Sequence, residues 1–198
     1  MNQIIEYIIN MFPFILISLP IILLWRWISI RNLKKNNKKT TVFHEVGIIV
    51  FLLFLIGLGS QVLAPKFELM ENGIDISYIL KNVNIIPFKV FADTYKAVFK
   101  NNNINYFLIN FLGNIIMFMP IGFAVPLLFN KIKTKKILLI GFCCSLFIEL
   151  CQLPIARKTD IDDLWLNTLG VFFGYCLYVL LNKFFSQFFK KFKIRSKE

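Results

Sequence analysis

The chain has 198 residues, of which 57% are hydrophobic, 23 are Phe and only 17% are charged. That balance excludes a disordered chain and places the sequence among polytopic membrane proteins. The net charge of +12 does not imply a nucleic-acid partner, because the basic residues crowd the ends of apolar segments and form no continuous footprint.

A bilayer core of about 30 Å takes about 20 apolar residues per helix, and five stretches come near that length. The first, Tyr7–Ile30, contains Pro13 and Pro20 and ends in Trp25 and Trp27 on either side of Arg26. A basic loop (Arg31, Lys34, Lys35, Lys38, Lys39) leads to the second, Val42–Leu63, stopped at Pro65. A long mixed segment over 64–105 follows. Within it Phe88, Phe91, Tyr95, Val98 and Phe99 recur at helical spacing, with Lys89, Asp93, Lys96 and Lys100 on the other face. This pattern fits an amphipathic helix near 88–100 lying on the outer leaflet, with Pro87 at or near its first position. The third span is Tyr106–Phe129, the fourth the short Ile137–Leu153 stopped at Pro154, and the fifth Leu164–Leu181. A tail over 183–198 carries a stripe of Phe184, Phe185, Phe188, Phe189 and Phe192 beside lysines, which suits anchoring on anionic lipid.

The fold expected is therefore an all-α membrane protein with about five transmembrane helices. It divides into two N-terminal helices over 1–63, an extracellular segment over 64–105, a three-helix core over 106–182 and a basic cytoplasmic tail over 183–198. With the N-terminus outside, the three inner segments hold 16 of the 23 Lys and Arg residues, which orients the C-terminus inward. No basic n-region precedes the first apolar run, so that run is expected to remain as an anchor.

Polar residues inside a bilayer are costly and usually functional. Alternating crossings bring several to a similar depth in the outer half: Asn110 and Asn114 on span three, and Ser145, Glu149 and Gln152 on one face of span four. Asp163 and Asn167 on span five lie on a stripe continued by Gly170 and Gly174, whose small size lets another helix approach. Arg157, Lys158, Asp160 and Asp162 lie in the turn above. Arg157 is the natural partner of Glu149, since a guanidinium grips a carboxylate bidentately. The set reads as a polar pocket open to the outside, against the plainer reading that these residues only tie three helices together. Asp160, Asp162 and Asp163 could hold a hard cation, but their spacing lacks the glycine and downstream Glu of a calcium loop, and no metal or other cofactor is expected. The only imidazole, His44, lies at the opposite edge, far from any outer-leaflet serine. Cys143, Cys144, Cys151 and Cys176 show no metal-binding spacing and read as small hydrophobes between helices.

Four ordered motifs carry a family resemblance. They are Asn84-Ile-Ile-Pro-Phe88, Asn110-x-x-Gly-Asn-Ile-Ile-Met-Phe-Met-Pro-Ile-Gly122, Ser145-Leu-Phe-Ile-Glu-x-x-Gln152, and Arg157-x-x-Asp-Ile-Asp-Asp-x-x-x-Asn-Thr-x-Gly170, ending at Gly174-Tyr175. Together they resemble the VanZ-like family. Met119-Pro120-Ile121-Gly122 and Lys158-Thr159 depart slightly from its usual pattern, and the first two spans carry no motif. The resemblance implies a membrane protein of the Gram-positive envelope that lowers susceptibility to teicoplanin-type lipoglycopeptides. On that footing the leading expectation is a binding protein whose partners are membrane lipids, a lipid-linked cell-wall precursor or the drug. Asn84, Asn110, Asn114, Ser145, Glu149, Gln152, Asn167 and the Arg157–Asp163 turn would form its site. The rival is an enzyme, a hydrolase or transferase acting on a lipid-linked envelope glycan with Glu149 or one of Asp160, Asp162 and Asp163 as general base. A small transporter is the weakest reading, since no inverted repeat is visible.

Overall fold

The computed structural model of the chain describes residues 3–63, 83–130, 132–153 and 159–196. Residues 64–82, expected as an extracellular segment, and 154–158, with Arg157 and Lys158, lie outside the described residues. The protein is mostly helical, as the composition predicts. Helix α1 spans Gln3–Lys35 and runs through both prolines; β1 is Lys38–Lys39; α2 is Val42–Leu63; β2 is Val83–Asn84. Helix α3, Lys89–Tyr95, continues as a π-helical turn over Lys96–Lys100. Helix α4, Ile104–Phe107, leads through a second π-helical turn, Leu108–Leu112, into α5, Gly113–Leu128. Then come α6, Thr134–Gln152; β3, Thr159–Asp160; α7, Ile161–Phe189; and β4, Arg195–Ser196.

Among the described residues four helical stretches are long and apolar enough to cross a membrane: Ile9–Lys35, Val42–Gln61, Ile104–Leu128 and Ile161–Phe192. The fourth span expected from sequence forms α6, but its 19 residues include Lys135, Lys136 and Glu149, and it does not stand among these four.

A helix is present where one was expected near 88–100, as α3 and the π-helical turn after it. Its N-cap is Phe88, in the left-handed region at φ 63°, so it begins two residues after Pro87 and not on it. The expected apolar stripe points away from the packed side: Phe91, Tyr95 and Phe99 are exposed while Val90 and Ala97 are buried. The four cysteines are free, and Cys143 and Cys176 are exposed, not packed between helices as expected.

The chain forms two compact units. The first comprises Met1–Val62, Phe123–Ile132 and Cys176–Glu198, and the second Leu63–Gly122 and Lys133–Tyr175. In the first unit Arg26 donates to both carboxylate oxygens of Glu45 at 2.8 Å, which compensates two charges that burial would otherwise penalise. The Phe stripe of the tail packs in part on protein: Phe189 is buried against Phe123 and Tyr178, and Phe188 and Phe192 pack on Phe43. Lys193 donates to the carbonyls of Pro126 and Phe129 at the end of α5, where a cation complements the helix dipole.

In the second unit α5 and α7 cross backbone to backbone, as the Gly170–Gly174 stripe predicts. A Cβ at Gly170 would collide with the Ile115 carbonyl, one at Gly174 with the Met119 carbonyl, and one at Gly122 with the Val171 carbonyl. Val171 is fully buried, and a Cβ on Gly141 of α6 would stand 2.9 Å from its Cβ. Three glycines on two helices thus let dispersion and backbone dipoles act at contact distance, the principal attraction where lipid removes the hydrophobic drive. Gly170→Ala and Gly174→Ala should each destabilise the protein by about 1–3 kcal/mol. In detergent melts that is a loss of roughly 3–10 °C, whereas Gly59→Ala, with nothing within 4 Å of the added carbon, should leave the transition in place.

Candidate functional site

One face of α6 explains how polar groups gather in the second unit. Ile137, Gly141, Ser145, Glu149 and Gln152 are its buried residues, at steps of four, four, four and three. The polar half of this stripe meets the start of α7. There Asp160 acts as an N-cap, its Oδ1 accepting from the Asp162 backbone N–H at 3.1 Å. Asp162 and Asp163 occupy the first turn, where the helix dipole favours negative charge.

Each acid then reaches a different element. The parallel pairing of Val83 with Thr159 and of Asn84 with Asp160 brings together segments 76 residues apart. Asn84 Nδ2 donates to Asp160 Oδ1 at 2.7 Å, and its own Oδ1 accepts from Ile86 N–H at 3.3 Å. The Asp160 N–H donates to Glu149 Oε2 at 3.0 Å, joining α6 to β3. Asp162, fully buried, accepts from the Phe88 N–H at 2.6 Å, the Val90 N–H at 2.8 Å and the Trp165 indole at 2.9 Å. It therefore caps α3, which has no side-chain cap of its own. Asp163 accepts from Asn114 Nδ2 of α5 through its carboxylate and from Ser145 Oγ at 3.2 Å through its carbonyl. Asn167 Nδ2 donates to Ser145 Oγ at 2.9 Å, leaving Asn167 Oδ1 and Thr159 Oγ1 as buried atoms without a hydrogen-bond partner among the described residues.

Asn84, Asn114, Ser145, Glu149, Asp160, Asp162, Asp163 and Asn167 are thus brought into one network, with Gln152 buried on the same stripe. Asn110 is not drawn in: its side chain donates to the Tyr106 carbonyl of its own helix. The described partner of Glu149 is the Asp160 backbone; Arg157, expected in that role, lies outside the described residues with Lys158. The three aspartates diverge toward separate donors, and among the described residues no group of His, Cys, Asp or Glu is placed to hold a metal ion.

Sequence reasoning missed Trp165. Its ring meets Phe88, Phe91 and Phe111 at centroid distances of 5.8, 5.7 and 6.2 Å, and Phe91 lies nearly parallel to it. An aromatic shelf, exposed at Phe88 and Phe91, therefore begins at the indole that binds Asp162. The spacing of Asp162 and Trp165, one helical turn apart, is the signal that pointed to it. So too was the capping role of Asp160 legible, as an Asp before an apolar helical run with acids in its first turn.

Asp162→Asn keeps the shape but turns an amide donor toward other donors, at a cost of about 2 kcal/mol. Hydrogen exchange should then show roughly thirtyfold less protection over residues 88–100, while Asp93→Asn, which removes only a 3.8 Å surface pair with Lys89, should leave that segment unchanged.

Comparison with known proteins agrees with the motifs. A family model described as VanZ/LLP1 matches residues 45–182. Protein VanZ of Enterococcus faecium is 30% identical over 123 residues, covering 61% of this chain and 68% of that protein. No solved structure matches the chain. The matched stretch takes up more than half of the sequence and contains every residue of the network, and the chain belongs to the VanZ/LLP1 family.

Proposed function

We propose that the network around Glu149, Asp160 and Asn167 is an outward-facing site through which the protein engages an amphiphile of the cell envelope. The ligand would be a lipid-linked cell-wall precursor or a teicoplanin-type lipoglycopeptide, and its engagement would lower susceptibility to such drugs. The observation that carries this reading is the adjacency of two chemistries, buried carboxylates and amides on one side of Trp165 and an exposed aromatic shelf on the other. A molecule with a polar head and an acyl chain needs both. Asn167 Oδ1 and Thr159 Oγ1 retain hydrogen-bonding capacity for a head group, and Arg157 and Lys158, which the sequence places between α6 and β3, would be the cations for a pyrophosphate or carboxylate.

In this reading α6 is a fifth crossing. Its 19 residues extend about 28 Å, Lys135 and Lys136 reach the interface from its first turn, and Glu149 is buried against protein. The concentration of 16 of 23 basic residues in three segments sets the N-terminus outside and the Arg157–Asp163 turn with it. Binding is preferred to catalysis because Asp160 and Asp162 are each engaged by two or more donors that fix structure, whereas a general base needs a lone pair directed at substrate.

Each head-group contact removed should weaken binding about tenfold or more. Thr159→Val and Asn167→Leu proteins, verified as stably inserted, should therefore lose most of their protection against teicoplanin; full protection by both would overturn the reading. Orientation is checked separately in a cysteine-free background. Asn102→Cys should react with an impermeant maleimide on intact cells and Lys35→Cys only after permeabilisation, and the reverse pattern would place the site inside.

A further inference from the structure

The first unit holds a second polar feature that the envelope site does not use. At its basic end a cleft of about 340 Å³ is lined by Arg26 and Asn36 of α1, His44 and Phe51 of α2, Phe129, and Ile194 of the tail. That size is in the range of small-ligand sites. His44 is 1% exposed. Its Nδ1 stands 2.7 Å from the Phe192 carbonyl, which can only accept, so the proton is on Nδ1. Its Nε2 is buried and has no hydrogen-bond partner among the described residues. A buried ring nitrogen left this way is unfavourable unless something occupies the cleft. An anionic oxygen satisfies it when the ring is charged, and a hydroxyl when the ring is neutral.

A second observation gives the sign of the occupant. Antiparallel pairing of β1 with β4 sets Lys39 directly opposite Arg195, a like-charge arrangement that is destabilising by itself. Between residues 9 and 62 and again between 176 and 196 the sole acid is Glu45, and its carboxylate is held by Arg26. Glu198 follows beyond the described residues, and positive charge still exceeds negative at this end, which favours an anionic occupant. On the apolar side of the cleft, Phe51 lies in a helix long and apolar enough to cross a membrane, and Phe129 directly follows another.

We propose that this cleft binds the head group of an anionic phospholipid. The phosphate sits among the basic residues, a head-group oxygen meets His44 Nε2, and an acyl chain runs along α2. His44 and Arg26 lie outside the stretch that the family model matches, and no residue lining the cleft belongs to the polar network of the second unit. Full-length protein, delipidated in detergent, is titrated with phosphatidylglycerol, with phosphatidylcholine and with inorganic phosphate, and bound species are counted by native mass spectrometry. Phosphatidylglycerol should bind at least about tenfold more tightly than phosphatidylcholine, whose phosphate carries its own counter-charge. His44→Asn keeps a donor for Phe192 but lacks Nε2, and should abolish most of that preference. Lys39→Gln with Arg195→Gln changes two exposed side chains and should weaken phosphatidylglycerol without altering the melt, which keeps the test decisive if His44→Asn misfolds. Equal binding of the two lipids, or undiminished phosphatidylglycerol binding by both variants, overturns the proposal. Displacement of the lipid by millimolar inorganic phosphate overturns it too, since the cleft would then read free phosphate.

Discussion

Carboxylates removed from water must find donors, and in the second unit the donors come from chain ends that have none to spare elsewhere. The first turn of α7 has unsatisfied N–H groups, as every helix start does, and Asp160 closes one of them. Asp162 closes two more at the start of α3 and takes the Trp165 indole as well. The same exchange settles both accounts: the backbone loses its orphan donors and the acids lose their uncompensated charge. Remove the acids, and α3, β2 and α6 would each have one fewer reason to meet α7.

The second constraint is steric. Asn114 can reach Asp163, and Ser145 can reach the Asp163 carbonyl, only because the helices approach more closely than side chains of ordinary size allow. Gly122, Gly170 and Gly174 supply that closeness, and Val171 fills the remaining space between α5 and α6. Small residues below and acids above thus belong to one device. The glycines set the distance and the polar groups set the register.

Much of this was legible in the sequence. Periodicity alone put Ser145, Glu149 and Gln152 on one face and Gly170 and Gly174 on another, because a helix has one period and the bilayer forces long helices. The helix near 88–100 was legible for the same reason. Partnerships across the chain were not. Nothing in the spacing of Asn84 and Asp160 announces a two-residue parallel pairing, and the bond from the Asp160 backbone N–H to Glu149 involves a group that has no letter of its own. Phe88 looked like the first member of an apolar stripe, yet it adopts a left-handed backbone that few side chains favour. His44 was set aside for its distance from any serine, and its burial against the tail carbonyl of Phe192 depends on 148 residues of intervening fold.

The double allegiance of Asp162 has a mechanical consequence. A side chain rooted in α7 grips the starting amides of α3, so the aromatic face at Phe88 and Phe91 is tied to a membrane-length helix. Any force that lifts or tilts that face is passed to α7 through that carboxylate and the Trp165 ring, and any rotation of α7 about its axis is returned by the same two contacts.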